Sequence, residues 1–452
     1  MSTAPFALAL IVGVGSPAIL LALLGGASLA NRPLPERWTG PLAAGLMMTS
    51  SAALLVALAV YGATGTGTML LSYGAWSSSH AGNIAIEFLV DRTSLGFAAL
   101  AAAIAGVVSA FSNRYLHRES GYNRYFVLLA MFVTGMLLVA LAGNVEVLFA
   151  GWEFVGLSSA LLVGFFHERP APVSNALRVF SIYRISDAAM LSAAVLLHHL
   201  AGSDSLSLLF GASRVASTTA LTGTSTTIIA VLLIVAVAGK SALLPFSDWL
   251  PRAMEGPTPS SAVYYGSLSI HAGCFLLLRA APLLEQAPLA RVLAGALGAA
   301  TAVFAGIATR VQSDVKSSLA YASLTQVGLI VVEIALGWYT LAFLHLVGHA
   351  CFRLLQFLSA PNVLHDLHGI EGAIGERPTP SVGYFHAVAP DLVRQRVFFF
   401  ALERGLLDPL LDRFFVEPFY YVARGMSRLD RFLCGAVSQP TAIVEGDEDR
   451  DE

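Results

Sequence analysis

The sequence predicts an all-α polytopic membrane protein, and three observations support that prediction. Hydrophobic residues make up 56% of the 452 residues and charged residues only 12%, whereas soluble domains carry about 25% charged residues. The mean hydropathy is +0.71. Apolar runs of about 20 residues, each long enough to cross about 30 Å of hydrocarbon, cover most of the chain. The net charge of −3 gives no reason to expect a nucleic-acid partner.

The apolar runs predict eleven transmembrane helices, with Gly/Ser-rich loops after the second and the sixth. The predicted helices cover residues 6–29, 40–61, 91–111, 125–141, 145–166, 176–200, 226–250, 259–278, 289–309, 315–336 and 338–358. We expect the seventh to be broken, because Pro245 follows Lys240 inside an apolar run and a proline frees backbone carbonyls.

Loop arginines predict the orientation of these helices. Arginines are more numerous in alternate loops, at positions 32, 37, 114, 118, 124, 169, 252 and 310, than in the opposite loops. Since positive loops stay inside, the first set is expected to be cytoplasmic. The chain is then expected in the cell (inner) membrane with its N-terminus outside and its tail inside. The first apolar run lacks a preceding basic region, which favours a retained helix over a secretion signal.

The composition divides the chain into a membrane domain, residues 1–358, and a tail, residues 359–452. The tail begins with a Pro/Gly-rich linker, continues with aromatic, aliphatic and charged residues at helical spacing, and ends in EGDEDRDE. This pattern suits either an amphipathic helix at the membrane interface or a strut against a partner. The three cysteines have no metal or redox spacing, and no cofactor is expected in this chain.

Two ionisable residues within apolar runs are the strongest functional candidates, Glu153 and Lys240. A charge at bilayer depth is disfavoured by at least about 2.5–3.5 kcal/mol, so such residues by default mark an ion or proton path. Burial disfavours the charged form of each, and their mutual approach restores both charges. A Glu and a Lys that approach and separate therefore form a proton switch. The alternatives are a lysine that reaches toward the interface and a structural ion pair.

Four further polar residues lie in apolar runs. Arg184 and Asp187 are spaced i, i+3 on predicted helix 6, which is compatible with charge neutralisation and with function alike. His271 is a polar group at depth in predicted helix 8. Lys316 lies near the end of predicted helix 10, where snorkelling to the interface is the competing interpretation.

Predicted helix 11 carries a polar stripe. His345 and His349 are spaced i, i+4, and Arg353 continues the same face. Two imidazoles and a guanidinium on one membrane helix need polar partners, and a proton relay is preferred here over structural histidines.

The motifs that hold these residues occur together in a known order. They are LVDRTS, GYNRYF, GNVEVLFAGWEFVGLSSALLVGF, RISD, GKSALLPFSDWLPRAMEGPTPSSA, SDVKSSLAYASLTQVG and FLHLVGHACFRLLQFL, within residues 89–358. By these motifs the chain resembles the antiporter-like proton-conducting subunits of respiratory complex I and the Mrp sodium/proton antiporters, the NuoL/MrpA family. The resemblance implies two inverted repeats of five helices, each with a broken helix, around a polar axis at mid-membrane.

The resemblance also implies roles for individual residues. Lys240 is implied to be the helix 7 lysine, and Glu153 the helix 5 glutamate that modulates it. Further implied roles are a helix 6 pair, a central relay and a connecting lysine, which fall on Arg184 and Asp187, on His345 and His349, and on Lys316.

Two departures from the family pattern stand out. Tyr265 occupies the place where the family commonly has a helix 8 histidine, and His271 comes further along. No second broken helix with an exit-side lysine or glutamate follows the motif FLHLVGHACFRLLQFL, so the second repeat is expected to be truncated. With the charged tail, this resembles the shorter DabB-type relatives. Those pair with a large, zinc-containing, carbonic-anhydrase-like DabA partner in energy-coupled uptake of inorganic carbon.

The expected function is therefore conduction of protons, or of another cation, coupled to a DabA-like cytoplasmic partner that holds the zinc. The chain is a transport subunit without chemistry of its own in this interpretation, because no three-ligand zinc set with an open position is visible. One alternative is a pumping subunit of complex I, a membrane hydrogenase or an Mrp Na⁺/H⁺ antiporter. Another is a non-conducting membrane scaffold. The sequence leaves the choice of H⁺ or Na⁺ open.

Overall fold

The computed structural model describes residues 4–65, 67–79, 82–201, 223–312, 314–374, 390–403, 405 and 408–434. Within these ranges eleven helices are long and apolar enough to cross a membrane, as predicted. They are α1 Ala4–Leu29, α2 Glu36–Thr64, α3 Arg92–Tyr115, α4 Tyr122–Leu141, α5 Val145–Val163, α6 Pro170–Ala201, α7 Gly223–Lys240, α8 Thr258–Arg279, α9 Pro288–Ala308, α10 Val315–Leu336 and α11 Tyr339–Ile374.

Helix α8 lies at the centre of the bundle. Its most apolar stretch is 94% buried, against 33–39% for the corresponding stretches of α1, α2, α9 and α11. Residues Ser261–Leu268 of α8 form a π-helical segment, an irregularity that often occurs at functional sites. The most deeply placed helix therefore also has an irregular backbone.

Two pairs of helices cross at facing glycines. In α4 and α5, a Cβ atom on Gly135 would lie 2.8 Å from the carbonyl oxygen of Gly151, and the reverse distance would be 2.7 Å. In α9 and α10, Gly298 and Gly328 face each other in the same way, at 2.7 and 2.6 Å. Small residues let membrane helices approach closely. The recurrence of this contact agrees with the repeated architecture that the resemblance implies.

The predicted break of the seventh helix is present but begins earlier than expected. Helix α7 ends at Lys240, and residues 241–248 are not helical until the short helix Trp249–Arg252. Ala242 has a φ of +55°, a conformation that L-residues seldom adopt. The chain therefore leaves the helix directly after the lysine, before it reaches Pro245.

The prediction of a loop between the second and third helices is wrong. Strands β1 Met69–Ser79 and β2 Gly82–Val90 form an antiparallel hairpin. The apolar residues at positions 86, 88 and 90 have the two-residue period of a strand, which the glycines and serines of the preceding stretch obscured. The backbone N–H of Gly143 donates to the carbonyl of Glu87 at 2.7 Å, so the hairpin meets the chain just before α5.

The eleventh helix extends beyond the predicted end. It continues to Ile374. Residues 360–374, which the sequence predicts to be linker, are therefore helical, and Pro361 lies inside the helix. One proline removes a single backbone hydrogen bond and can be accommodated in a long helix as a kink. The rest of the predicted linker, residues 375–382, lies outside the described residues.

The chain forms two compact units that divide between Asp408 and Pro409. The first unit contains all eleven spans and helix α12, Asp391–Leu402. The second contains helix α13, Glu417–Leu433, whose apolar residues Val422, Met426 and Leu429 are exposed. Because these lie on one face, α13 has the amphipathic character that the sequence predicts for the tail.

Candidate functional site

Lys240 is fully buried and is held by two aromatic faces and one backbone carbonyl. It is the last residue of α7, with none of its surface exposed. Its Nζ donates a 3.0 Å hydrogen bond to the carbonyl oxygen of Trp152 on α5. The same nitrogen lies 4.9 Å from the ring centroid of Trp152 and 4.5 Å from that of Tyr183 on α6. At these distances an aromatic face attracts a cation. We call the two rings and the carbonyl the aromatic cage.

Gly156 leaves the space that the ammonium group fills. It follows Trp152 by one helical turn on α5. A Cβ atom at this position would come within 2.9 Å of Lys240 Nζ and 3.9 Å of Arg184 Nη2. A side chain at position 156 would therefore push the ammonium group away from its place in the aromatic cage. A glycine at this position lets the ammonium group approach α5 closely.

Glu153 pairs with Arg184 and not with Lys240. Arg184 Nη2 lies 2.8 Å from Glu153 Oε2 and 2.7 Å from Asp187 Oδ2, so one guanidinium bridges two carboxylates. The direct approach of Glu153 to Lys240 that the sequence suggests is not the arrangement in this structure, because the planar, multi-donor guanidinium takes both acids. In the described part of the chain no carboxylate oxygen lies within 4.0 Å of Lys240 Nζ, although both acids act on it electrostatically.

These four side chains, Glu153, Arg184, Asp187 and Lys240, are called the Lys240 cluster below. They comprise two acids and two cations, so their charges balance when all four are ionised. Their exposure falls along the cluster: the Arg184 and Glu153 side chains are 34% and 27% exposed, Asp187 is 6% exposed, and Lys240 is not exposed. The cluster therefore connects an accessible carboxylate to a buried ammonium.

The break after Lys240 packs directly against α8. Trp249 Nε1 donates to the carbonyl oxygen of Gly239 at 3.0 Å, which satisfies a carbonyl that the end of α7 leaves free. Ser241 Oγ donates to the carbonyl oxygen of Ile270 at 2.6 Å. Ile270 immediately precedes His271, so the residue after the lysine contacts the residue before the histidine.

His271 on α8 and His349 on α11 form a hydrogen-bonded pair, and their partners determine which ring nitrogens carry the protons. Nε2 of His271 lies 2.9 Å from Nδ1 of His349. Nδ1 of His271 lies 2.7 Å from the carbonyl oxygen of Ser267, which can only accept, so this nitrogen carries a proton. Arg353 Nε, which can only donate, lies 3.0 Å from Nε2 of His349. His349 therefore donates from Nδ1 to His271, and both rings are neutral.

His345 stands beside this histidine pair, with partners of its own on α10. Its ring centroid is 6.3 Å from that of His349. Its Nδ1 lies 2.9 Å from Glu333 Oε1, and its Nε2 lies 3.0 Å from Gln326 Oε1. With the amide oxygen of Gln326 toward it, the ring has an acceptor on each side. With the amide turned by 180°, the ring has an acceptor on one side and a donor on the other.

Two other residues raised by the sequence lie apart from these groups. Lys316 Nζ donates to the carbonyl oxygens of Gly256 at 3.2 Å and Met254 at 3.5 Å, in the connection between α7 and α8. Tyr265, at the place of the family histidine, donates to the carbonyl oxygen of Ser159 at 2.9 Å. A tyrosine so bonded is a structural tie between α8 and α5, and it is His271 that faces α11.

A second ionic cluster links Asp408, which follows helix α12, to the residues that follow the break in α7. Arg178 Nε on α6 donates to Asp248 Oδ2 at 2.6 Å. Arg252 pairs with Asp408, which lies 156 residues later, and its Nε is 3.8 Å from Asp248 Oδ2. Burial raises the pKa of the Asp248 carboxyl above its ordinary value, with Arg178 opposing the shift and Asp408 adding to it.

Sequence reasoning missed the cage and the partners of the histidines. The missed residues are Trp152, Gly156, Tyr183, Gln326 and Glu333. Gln326 and Glu333 carried a usable signal, since polar residues seven apart in an apolar run lie on one helix face. The cage residues carried none, because glycines are frequent at helix contacts in membranes and aromatic side chains are frequent in cores.

The segment that carries these residues matches a known protein family. The family described as "NADH:quinone oxidoreductase/Mrp antiporter, TM" matches residues 142–375, which is just over half of the chain and includes the Lys240 cluster and the three histidines. The chain belongs to this family. A second family, described as "NADH-Ubiquinone oxidoreductase (complex I), chain 5 N-terminus", matches residues 76–126 of the chain.

This family member spans about half the length of the curated relatives that it matches. The NADH-ubiquinone oxidoreductase chain 5 of Cryptococcus neoformans var. grubii is 31% identical over 75% of this chain and 51% of its own length. A chain of the Mrp complex of a Dietzia species is 26% identical, with a TM-score of 0.66 over 91% of this chain and 45% of that one. A chain of an archaeal membrane-bound sulfane sulfur reductase shares the fold, with a TM-score of 0.68 at 17% identity over 92% of this chain and 87% of that one.

Proposed function

We propose that this chain is a proton-conducting, antiporter-like subunit of a larger membrane complex of the complex I or Mrp type. The observation that carries the proposal is the buried ammonium group of Lys240. It lies in the aromatic cage, completes the charge balance of the Lys240 cluster, and is one helix break away from hydrogen-bonded histidines. The relatives named above belong to complexes of this type, which favours such an assembly.

A proton that reaches Glu153 changes the charge balance of the Lys240 cluster. Protonation of Glu153 leaves one excess positive charge, and Arg184 stays charged because a guanidinium does not lose its proton in proteins. Lys240 is then the cation that can release a proton and restore the balance. The cage and one carbonyl stabilise the ammonium without a direct carboxylate partner, so its proton is held but can still leave.

We place the histidine pair after Lys240 on this route. The contact between Ser241 and Ile270 brings the break of α7 against the helix turn that carries His271. One charge that crosses a potential of 100 mV exchanges about 2.3 kcal/mol, which a partner complex can supply or use.

The ion is a proton in this proposal. The groups along the route are two carboxylates, an ammonium and imidazoles, each of which can hold or release a proton, and the charged Lys240 and Arg184 repel a metal cation. Within the described residues no group of three or more His, Cys, Asp or Glu side chains is placed to hold a metal ion. Sodium would need oxygen ligands, which the histidine pair does not offer.

The DabA-like zinc partner remains a prediction from the short chain and its tail. The relatives reported above favour complex I or Mrp subunits as partners instead. Mild-detergent purification of the tagged chain, with identification of the co-purifying proteins and their zinc content, separates the two. Quinone-reducing or Mrp subunits would support the complex proposed here, and a large zinc protein of carbonic-anhydrase type would support inorganic-carbon uptake.

Conduction itself is tested by proton flux into membrane vesicles that hold the assembled complex. We expect Lys240→Ala and Glu153→Gln to lose most of the flux while the complex still assembles. Arg37→Ala, which removes an exposed cation from the start of α2, is the matched control and should leave flux unchanged. Full flux in both cluster variants would contradict the proposal and favour the non-conducting scaffold.

A further inference from the structure

Arg353 occupies the nitrogen through which the histidine pair would take up a proton. Nε2 is the acceptor nitrogen of His349, and Arg353 Nε–H donates to it at 3.0 Å. The far end of the pair is closed as well, because Nδ1–H of His271 donates to the carbonyl of Ser267. Nε2 of His271 accepts from His349. While these bonds persist, neither ring has a free acceptor nitrogen.

Gln356 holds Arg353 in this position. Arg353 Nη1 donates to Gln356 Oε1 at 2.5 Å, and the two residues are three apart on α11, where side chains meet on one face. Arg353 is only 7% exposed. Its hydrogen bonds to described residues go to His349 and Gln356. The amide is therefore the anchor that keeps the guanidinium on the imidazole.

Arg353 borders open space. A groove of about 320 Å³ is lined by Gln326, His345, His349, Phe352 and Arg353, and Phe352 is 55% exposed, so the groove opens to the outside of the bundle. A water molecule takes up about 30 Å³, so several can fit there. Once Arg353 has left His349, water in this groove can reach Nε2, and His345 lies beside it.

We propose that Gln356 is a positioning residue that keeps Arg353 on His349 and thereby sets how often the histidine pair accepts a proton. This rests on the proposed function of the chain as a proton conductor. When Arg353 moves away, a proton from water binds Nε2 of His349, and the Nδ1 proton of His349 passes to Nε2 of His271. His271 then carries the positive charge, and the reverse transfer needs the same nitrogen of His349 to be accessible.

Two substitutions at one position test this, because they should act in opposite directions. Gln356→Leu removes the anchor, and we expect proton flux to rise by roughly tenfold, the change in population expected when one hydrogen bond to a charged group is lost. Gln356→Glu replaces the amide by a carboxylate that binds the guanidinium more strongly, so flux should fall. Gln286→Leu, which removes an exposed amide elsewhere, should leave flux unchanged.

The outcomes separate this inference from the proposed function. If wild-type flux depends on Lys240 but both Gln356 variants change it in the same direction, Gln356 has a merely structural role and the inference is wrong. If the wild-type complex passes no protons, the proposed function fails and the inference with it.

A second readout does not depend on flux. Nitrogen-15 spectra of histidine-labelled complex in lipid should show His271 and His349 protonated on Nδ1 in the wild type. In Gln356→Leu, Nε2 of His349 should lose the hydrogen-bond shift that Arg353 causes. Protonation of His349 on Nε2 in the wild type would overturn the inference.

Discussion

The Lys240 cluster and the histidine pair are both polar groups inside apolar helices, yet they are satisfied in different ways. The Lys240 cluster holds two acids and two cations, with a guanidinium bridging the acids. The histidine pair holds neutral rings whose hydrogen bonds all run in one direction, from Arg353 to Ser267. The first region can store and balance a charge. The second can relay one only after its order of protons is disturbed.

The packing around these two regions is more alike than their chemistry. The facing glycines of α4 and α5 have counterparts in α9 and α10, with nearly equal distances. Helix α5 carries Glu153 and Trp152, one ring of the aromatic cage, whereas α10 carries Gln326 and Glu333, which bind His345. A repeated backbone arrangement therefore supports two different kinds of site, since helix contacts depend on small residues and the chemistry depends on a few others.

The largest loss of proton flux in this set is expected from a substitution beside the Lys240 cluster. In Gly156→Ala the new Cβ would lie 2.9 Å from Lys240 Nζ, so the ammonium group must shift within the cage. Because the lysine side chain is flexible, we take the low end of the overpacking cost of about 1–3 kcal/mol. Since each 1.4 kcal/mol is tenfold, we expect proton flux to fall about fivefold. The histidine nitrogen-15 spectra should stay as in the wild type.

A matched control for this substitution is Gly306→Ala, because its nearest neighbour would be an ordinary 3.8 Å away. Vesicle flux and yield of assembled complex are measured for both variants. Wild-type flux in Gly156→Ala would show that the position of the ammonium in the cage does not matter.

A smaller effect is expected on the side of the histidines. Glu333→Gln keeps the shape of the side chain but removes the carboxylate 2.9 Å from His345 Nδ1. Loss of one charge-assisted hydrogen bond should lower flux about threefold, since His345 is adjacent to the pair and not part of it. The same substitution should leave the Lys240 cluster intact. The fold-losses of flux caused by Glu333→Gln and Gly156→Ala should therefore multiply in the double variant. A loss as large as that of Lys240→Ala would place His345 in the main route.

The smallest effect on flux is expected from the second ionic cluster. Asp408→Asn removes the charge that pairs with Arg252, and helix Asp391–Leu402 should then open more often. We expect hydrogen exchange in that helix to increase several-fold while flux changes by less than about twofold, because the residue touches neither site. Unchanged exchange would show that Arg252 does not hold this segment.

Much of this architecture could be predicted from the sequence. Apolar runs located all eleven spans, and Pro245 beside Lys240 marked the broken one. The i, i+3 spacing of Arg184 and Asp187 predicted that the two could pair, and the structure contains this ion pair. These predictions succeed because hydrophobic length and helical periodicity are local properties of the chain.

Other features could not be predicted, since they depend on which helices become neighbours. Glu153 and Arg184 are 31 residues apart, and His271 and His349 are 78 apart; no spacing rule connects either pair. The choice of Arg184 over Lys240 as partner of Glu153 is set by the crossing of α5 and α6. The hairpin was missed because five of the eleven residues of its first strand are glycine or serine.

In the proposed mechanism Glu153 and Lys240 act as one unit in moving a proton. The most direct test is a double-mutant cycle of proton flux in the assembled complex, with Glu153→Gln, Lys240→Ala and both together. If the two residues act in one step, the double variant should lose no more flux than the worse of the single variants. Losses that multiply, as expected for independent residues, would contradict the account.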